Sequence, residues 1–213
     1  MDACADILVA RGRPCLNLKE AAENYRALID AEKIFGNCNP VHLEIGCGNG
    51  GFLKEVARRN PQINFLAVEV CSNVILTAME NVKAAKLTNV RFLNIPAETL
   101  ECYIAPHCVE RIYLNFSTPL PEKGREKQRL TSSRFLAIYK TLLTEHGEVW
   151  QKTDSEQFFD YSLEQYTANG FIVKEITRDL HHSEYALENV VTEYEAQFAG
   201  RGLPIYRAVA ILE

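Results

Sequence analysis

A glycine-rich turn between two patterned segments constrains this chain most. Val41–Ile45 reads VHLEI, a short apolar run of strand type. It leads into Gly46-Cys47-Gly48-Asn49-Gly50-Gly51, after which residues 52–59 carry a helical pattern that stops before Pro61. Glycine permits a tight turn and lets a ligand approach the backbone closely. The spacing Gly46-x-Gly48-x-x-Gly51 satisfies the dinucleotide fingerprint. By itself it fits a turn that only packs helix on strand about as well. Two carboxylates shift the balance. Glu44 precedes the first glycine by two residues, and Glu69 closes the next strand about 20 residues on, where an acid can accept both ribose hydroxyls. The set favours a bound cofactor.

The rest of the chain places this turn in a fold. Residues 14–37 read as a helix, with Leu18, Ala21, Ala22, Tyr25, Leu28 and Ile29 at helical spacing, preceded by an arm. Strands are expected over 41–45, 64–70, 90–94, 110–116, 147–153, 171–177 and 205–212. Helices are expected over 52–59, 72–86 (capped by Ser72), 130–143 and 156–169. Strands alternate with helices until the last two. The expectation is a Rossmann-like, doubly wound α/β sheet of about seven strands, mostly parallel with an antiparallel C-terminal hairpin and helices on both faces. One domain is expected, with residues 1–34 as arm and helix and 35–213 as the core. In such sheets ligands bind beyond the C-terminal strand ends, so the loops after Ile45, Val68, Asn94 and Phe116 are the places for chemistry.

Composition excludes other classes. A formal net charge of −5 rules out a generally cationic nucleic-acid binder but leaves room for a local basic patch. Seven cysteines stand singly, with no CxxC pair, as expected of reduced thiols and not of a disulfide frame or zinc site. No apolar run reaches the roughly 18 residues of a membrane span. The N-terminal segment lacks a basic region followed by an apolar one, so no signal peptide is visible. A cytoplasmic protein is expected.

Four segments carry a resemblance. FGNCNPVHLEIGCGNGGFL, RIYLNFSTPLPEKGREKQRL, KTD and VTEYEAQF resemble the bacterial tRNA (guanine-N7-)-methyltransferase family (TrmB-like), a class I S-adenosylmethionine-dependent group, in spacing and order from about Phe35 onward. The resemblance implies methyl transfer from S-adenosylmethionine to N7 of a guanine in the tRNA variable loop. It implies no metal and no membrane, and a monomer or homodimer. By the same resemblance Glu44, Gly46, Gly48, Glu69, Asn94, Pro96 and Ala97 would hold the cofactor, with Glu69 on the ribose and Ala97 near the adenine. Thr118 stands at the catalytic-Asp position. Asp154, Thr192 and Glu195 would orient the guanine. Glu122, Lys123, Arg125, Lys127 and Arg129 would face the tRNA.

The chain departs from the family pattern NFSDPWPKxRHxKRR. Thr118 replaces Asp, Leu120 replaces Trp, Glu122 a Lys, Gly124 an Arg, Arg125 the His and Gln128 an Arg; Pro96 replaces an Asp after the third expected strand. These changes leave two further readings open, a catalytically weak paralogue that binds tRNA or cofactor and a methyltransferase with a shifted substrate. A nicotinamide dehydrogenase fits the glycine fingerprint, but no hydride-transfer site accompanies it. Cys47 has no histidine placed to activate it and reads as a packing residue. His181 and His182 are adjacent and do not share a helix face, so they make no metal pair; by the resemblance His181 supports the site. Trp150 reads as a packed strand residue.

Overall fold

The computed structural model describes residues 4–12 and 28–213. Its strands are β1 (Leu8–Arg11), β2 (Val41–Ile45), β3 (Asn64–Val68), β4 (Val90–Asn94), β5 (Val109–Asn115), β6 (Leu143–Thr153), β7 (Phe171–Thr177) and β8 (Tyr206–Leu212). Its helices are α1 (Ala31–Phe35), α2 (Gly51–Arg59), α3 (Ser72–Ala84), α4 (Ser133–Leu142), α5 (Glu156–Ala168) and α6 (Glu193–Ala199). The strands form one sheet in the order β1-β4-β3-β2-β5-β6-β8-β7. Seven run in one direction, and β8 alone runs antiparallel, between β6 and β7.

The parallel strands are buried on both faces, which is why VHLEI and NFLAV show no polar alternation. On one face α2 and α3 bury Leu53, Val56, Ile75, Met79 and Val82 against Phe65, Phe92 and Tyr113. On the other, α4 buries Phe135, Leu136, Tyr139 and Leu142 against Leu43, Leu66 and Ile112. Each fully buried side chain of this size contributes roughly 1.5–3 kcal/mol of transfer free energy. The chain runs from β2 outward through β3 to β4, then returns to place β5 on the other side of β2. Strand order therefore reverses between β2 and β5, opening a crevice above Ile45 and Asn115.

Several expectations are corrected. The sheet has eight strands, not about seven, because Leu8–Arg11 adds at the edge beside Phe92–Asn94. Four residues show no usable period, and their partner lies some eighty positions on, so only the tertiary structure reveals the pairing. The helix expected over residues 14–37 falls partly on residues outside those described. Within the described part only Ala31–Phe35 is helical, capped by Asp30 accepting from Lys33 N and closed by Gly36 at φ 73°. The cap of α3 is Cys71, not Ser72, whose hydroxyl donates instead to Asn94 Oδ1 at 2.8 Å. Helix α6 is an element that the sequence reading does not contain. Its Thr192-x-x-Glu195 capping box is nonetheless legible as a helix start.

Gly50 caps α2 at φ 77°, and a Cβ there would meet Ala78 Cβ at 3.0 Å across the α2–α3 contact. Gly124 has a similar φ of 86° but open space around it. Gly50→Ala should lower unfolding free energy by about 2–3 kcal/mol and Gly124→Ala by about 1 kcal/mol. Urea denaturation of the two variants checks the difference.

Candidate active site at the reversal of strand order

The crevice between β2 and β5 holds a cleft of about 500 Å³. Its floor is the end of β2 with the glycine turn. The amides of Gly46 and Cys47 both donate to Val68 O, at 2.8 and 3.1 Å, fixing the turn to the end of β3. Gly46 (φ 82°) and Gly48 (φ 54°) have nothing within reach of a Cβ, so conformation and not crowding is what requires glycine there.

Three carboxylates line this cleft, Glu44, Glu69 and, from α6, Glu193, and the first two sit in different environments. Glu69 is aimed by backbone amides: its Oε2 accepts from Gly48 N at 3.3 Å and its Oε1 from Cys71 N at 2.9 Å. Glu44 is 2% exposed. Its Oε1 accepts from Asn115 Nδ2 at 2.9 Å, and its Oε2, although buried, has no partner. Burial raises the Glu44 carboxyl to about 7, against the opposing pull of Asn115 and Lys152. An acid in that state is suited to a ligand that brings a donor or a positive charge. Cys47 is buried in the same turn, and burial pushes its thiol well up, so it is inert as a nucleophile.

The opposite walls come from the loop after β5 and from α6. Phe116 sits at φ 53°, held by its amide donating to Lys152 O at 2.8 Å. Its ring lies 6.4 Å from Tyr194 and 6.2 Å from Phe198, all three nearly parallel. Tyr194 is 63% exposed, which leaves an aromatic face at the rim. Ser117 and Thr118 line the cleft, Thr118 exposed and Ser117 with a buried hydroxyl lacking a partner. Asn115 and Ser117 are site residues that the sequence reading does not include. The Asn-Phe-Ser run after a strand, in a loop expected to carry chemistry, is the signal that could find them.

α6 is only seven residues long and is held from below. Lys152 Nζ, buried on β6, donates to Glu195 Oε2 at 2.6 Å, Asn189 Oδ1 at 3.1 Å and Val190 O at 2.8 Å. Burial lowers the Lys152 pKa, while Glu195 opposes the shift. Glu195, fully buried, also accepts from Asn189 Nδ2 and from Thr192 N, and His181 Nε2 lies 3.0 Å from its Oε1. Glu195 N in turn donates to Thr192 Oγ1 at 2.9 Å.

The expected site residues divide accordingly. Glu44, Gly46, Gly48, Glu69, Thr118 and Thr192 line one cleft. Asn94, Pro96 and Ala97 do not. Asn94 is a brace, its Nδ2 donating to the carbonyls of Glu69 and Val70, while Pro96 precedes the 3-10 turn Ala97–Cys102. Asp154 is exposed just past β6, outside the cleft lining. Glu122, Lys123, Arg125 and Lys127 are on the loop after β5, at or near its exposed surface. Arg129, expected to face the tRNA, is 6% exposed: it donates to Leu120 O and lies 4.3 Å over the Tyr161 ring, so it staples this loop to α5. Glu195, expected to orient a guanine, has its carboxylate saturated by the groups just named, so it positions the wall. Among the described residues no group of three or more His, Cys, Asp or Glu side chains could hold a metal, and no helix is long and apolar enough to cross a membrane.

Breaking the buried pair from one side strands a charge. Glu195→Gln should cost about 3–5 kcal/mol of stability, and the apolar double variant Lys152→Met/Glu195→Leu less than that. Thermal and urea melts of the single and double variants check this.

Comparison with known proteins fits this architecture. Residues 38–208 match the family model described as "Putative methyltransferase". The chain is 47% identical over 181 residues to the tRNA (guanine-N(7)-)-methyltransferase of Lachnoclostridium phytofermentans, covering 85% of each chain. It is 44% identical over 176 residues to that of Bacillus subtilis, covering 82% of each. It is 39% identical over 211 residues to that of Alkaliphilus oremlandii, covering 95% of this chain and 100% of the other. In fold it is similar to a SAM-dependent methyltransferase from Aquifex aeolicus, with TM-score 0.57 and 13% identity over 93% of this chain and 100% of that one. It is also similar to the 16S rRNA methyltransferase KamB, with TM-score 0.64 and 16% identity over 87% and 94%. The chain belongs to the tRNA (guanine-N(7)-)-methyltransferase family.

Proposed function

We propose that this protein transfers a methyl group from S-adenosylmethionine to N7 of a guanine in the variable loop of tRNA, acting as a single catalytic unit. The observation that carries the reading is Glu44 Oε2, a buried acceptor without a partner at the foot of a cleft that Glu69 also lines. The donor set suits that cofactor: Glu44 accepts its ammonium, Glu69 its ribose hydroxyls, and Gly46 and Gly48 allow close backbone approach. When bound, the cofactor supplies an electrophilic methyl on a sulfonium.

Guanine N7 carries a free lone pair, so no proton has to be removed and no general base is required. The protein's work is alignment, plus a negative environment for a base that gains positive charge. Tyr194 and Phe116 offer the exposed aromatic wall on which an unstacked base can lie. Thr118 offers a hydroxyl at the cleft mouth in place of a carboxylate, and Asp154 an acid beyond it for the guanine edge. Thr192 and Glu195 act by holding the turn that presents Glu193 and Tyr194. Lys123, Arg125 and Lys127 are the cations for phosphate.

Two measurements follow from this reading. Purified protein with unmodified tRNA and methyl-labelled cofactor should place one label at a variable-loop guanine, located by borohydride–aniline cleavage. Cofactor binding without any label in tRNA would overturn the activity. Glu44 gives a pH test. Its folded pKa of about 7 lies above the ordinary glutamate value of 4.5, so its contribution to stability is complete below about pH 4.5 and is lost as pH rises toward 7. Glu44→Gln should therefore be more stable than the parent above pH 7, by up to about 3 kcal/mol, and equal to it near pH 4.5. The same variant should bind S-adenosylmethionine more weakly and lose the parent's rise in affinity between about pH 6 and 8, followed by calorimetry.

A further inference from the structure

The turn between β3 and α3 has little packing of its own. Val70 is 64% exposed, and Cys71 and Ser72 are exposed as well. Yet this turn carries Glu69, and its Cys71 amide meets Glu69 Oε1 at 2.9 Å. A carboxylate on an unpacked turn keeps its aim only if something else fixes the backbone.

Asn94, at the end of the neighbouring strand β4, does this. Its Nδ2 donates to Glu69 O at 2.8 Å and to Val70 O at 3.2 Å, and its Oδ1 accepts from Ser72 Oγ at 2.8 Å. One amide group thus ties the turn at Glu69, Val70 and Ser72, with both of its hydrogens and its oxygen in use. It cannot turn over, because that would set its oxygen against two carbonyl oxygens. Asn94 is 6% exposed, and its own carbonyl accepts from Gly12 N at 3.0 Å just past β1. The Ser72 contact stands at the start of α3, where a serine hydroxyl commonly caps the helix, and Cys71 offers no side-chain cap in its place. The helix start forgoes a cap while the turn gains a second tie.

We infer that Asn94 and Ser72 are positioning residues for cofactor recognition: they fix the turn of residues 69–72 so that the Glu69 carboxylate is held on the ribose hydroxyls of the bound cofactor. Both lie outside the cleft lining, so they act through Glu69 and not by contact. The inference rests on the reading that Glu69 receives the ribose. It goes beyond that reading by assigning selectivity for a hydroxylated sugar to a relay behind the carboxylate. The Gly48 amide, which meets Glu69 Oε2 at 3.3 Å, is outside the relay, so losing the relay weakens the aim without abolishing it.

The test compares S-adenosylhomocysteine with its 2′,3′-dideoxy analogue by calorimetry on the intact protein. The parent should prefer the hydroxylated ligand by roughly 30-fold, and Glu69→Gln should lose most of that preference. Asn94→Ala should reduce the preference by about fivefold and Ser72→Ala by about threefold, with affinity for the dideoxy analogue unchanged within about twofold. Ser72→Thr, which keeps the hydroxyl, should retain the parent's preference. In the Glu69→Gln background, Asn94→Ala should change S-adenosylhomocysteine affinity by less than about twofold. Ser72→Ala, at an exposed position, serves if Asn94→Ala does not fold. Variants that weaken both ligands equally, or that keep the full preference, would overturn the inference alone, with Glu69→Gln still reporting the ribose contact. A parent without preference, or a Glu69→Gln variant that keeps it, would overturn the ribose reading and the inference together.

Discussion

The Lys152–Glu195 pair is the contact on which the working face depends. Its atoms are 2.6 Å apart, with side chains 8% and 0% exposed. Two charges taken out of water are unfavourable unless the remaining hydrogen-bonding positions are filled. Here Asn189, Val190 O and the Thr192 amide fill them, with His181 Nε2 set beside the carboxylate. A seven-residue helix has little stability of its own. Anchored to β6 in this way, α6 brings Glu193 against Gly51 and Tyr194 against Phe116. The pair thus converts an internal electrostatic contact into one wall of the cleft.

The cleft divides two acids by environment. Glu69 is fed by two amides, whereas Glu44 keeps one oxygen unpartnered in a buried place. That asymmetry suits a ligand with neutral hydroxyls at one end and positive charge at the other. The net charge of −5 is consistent with it, since acids are gathered where a cation and a guanine edge would be received. The cations proposed to meet RNA phosphate lie on the loop after β5. This positive charge is thinner than its residue count suggests. Arg129 is committed to Leu120 O and Tyr161, and Arg125 shares its guanidinium with Gln128 and Glu122.

Much of this architecture is legible in the amino-acid sequence. The continuous apolar runs at β2 to β5 signal strands buried on both faces, and the glycine turn with its two acids marks where a cofactor would lie. Less legible are features whose partners are far apart along the chain. β1 depends on β4, the Ser72 hydroxyl is taken by Asn94, and Arg129 is turned inward by the Leu120 carbonyl. Glu195 reads locally as a solvent-facing or base-facing acid, because nothing near it in the chain discloses a lysine 43 residues earlier.

The sequence by itself determined the α/β class, the position of the glycine turn and the identity of the acids near it. These follow from local periodicity, from the backbone freedom of glycine and from spacing along one βαβ unit. Only the tertiary structure decided which acid beside the cleft keeps an unpartnered oxygen, which one is consumed in holding α6, and that Arg129 is turned inward as a staple. The physical reason is that burial and hydrogen-bond saturation are properties of a whole neighbourhood. The same carboxylate or guanidinium is a ligand or a brace according to what the rest of the chain leaves within about 3 Å of it.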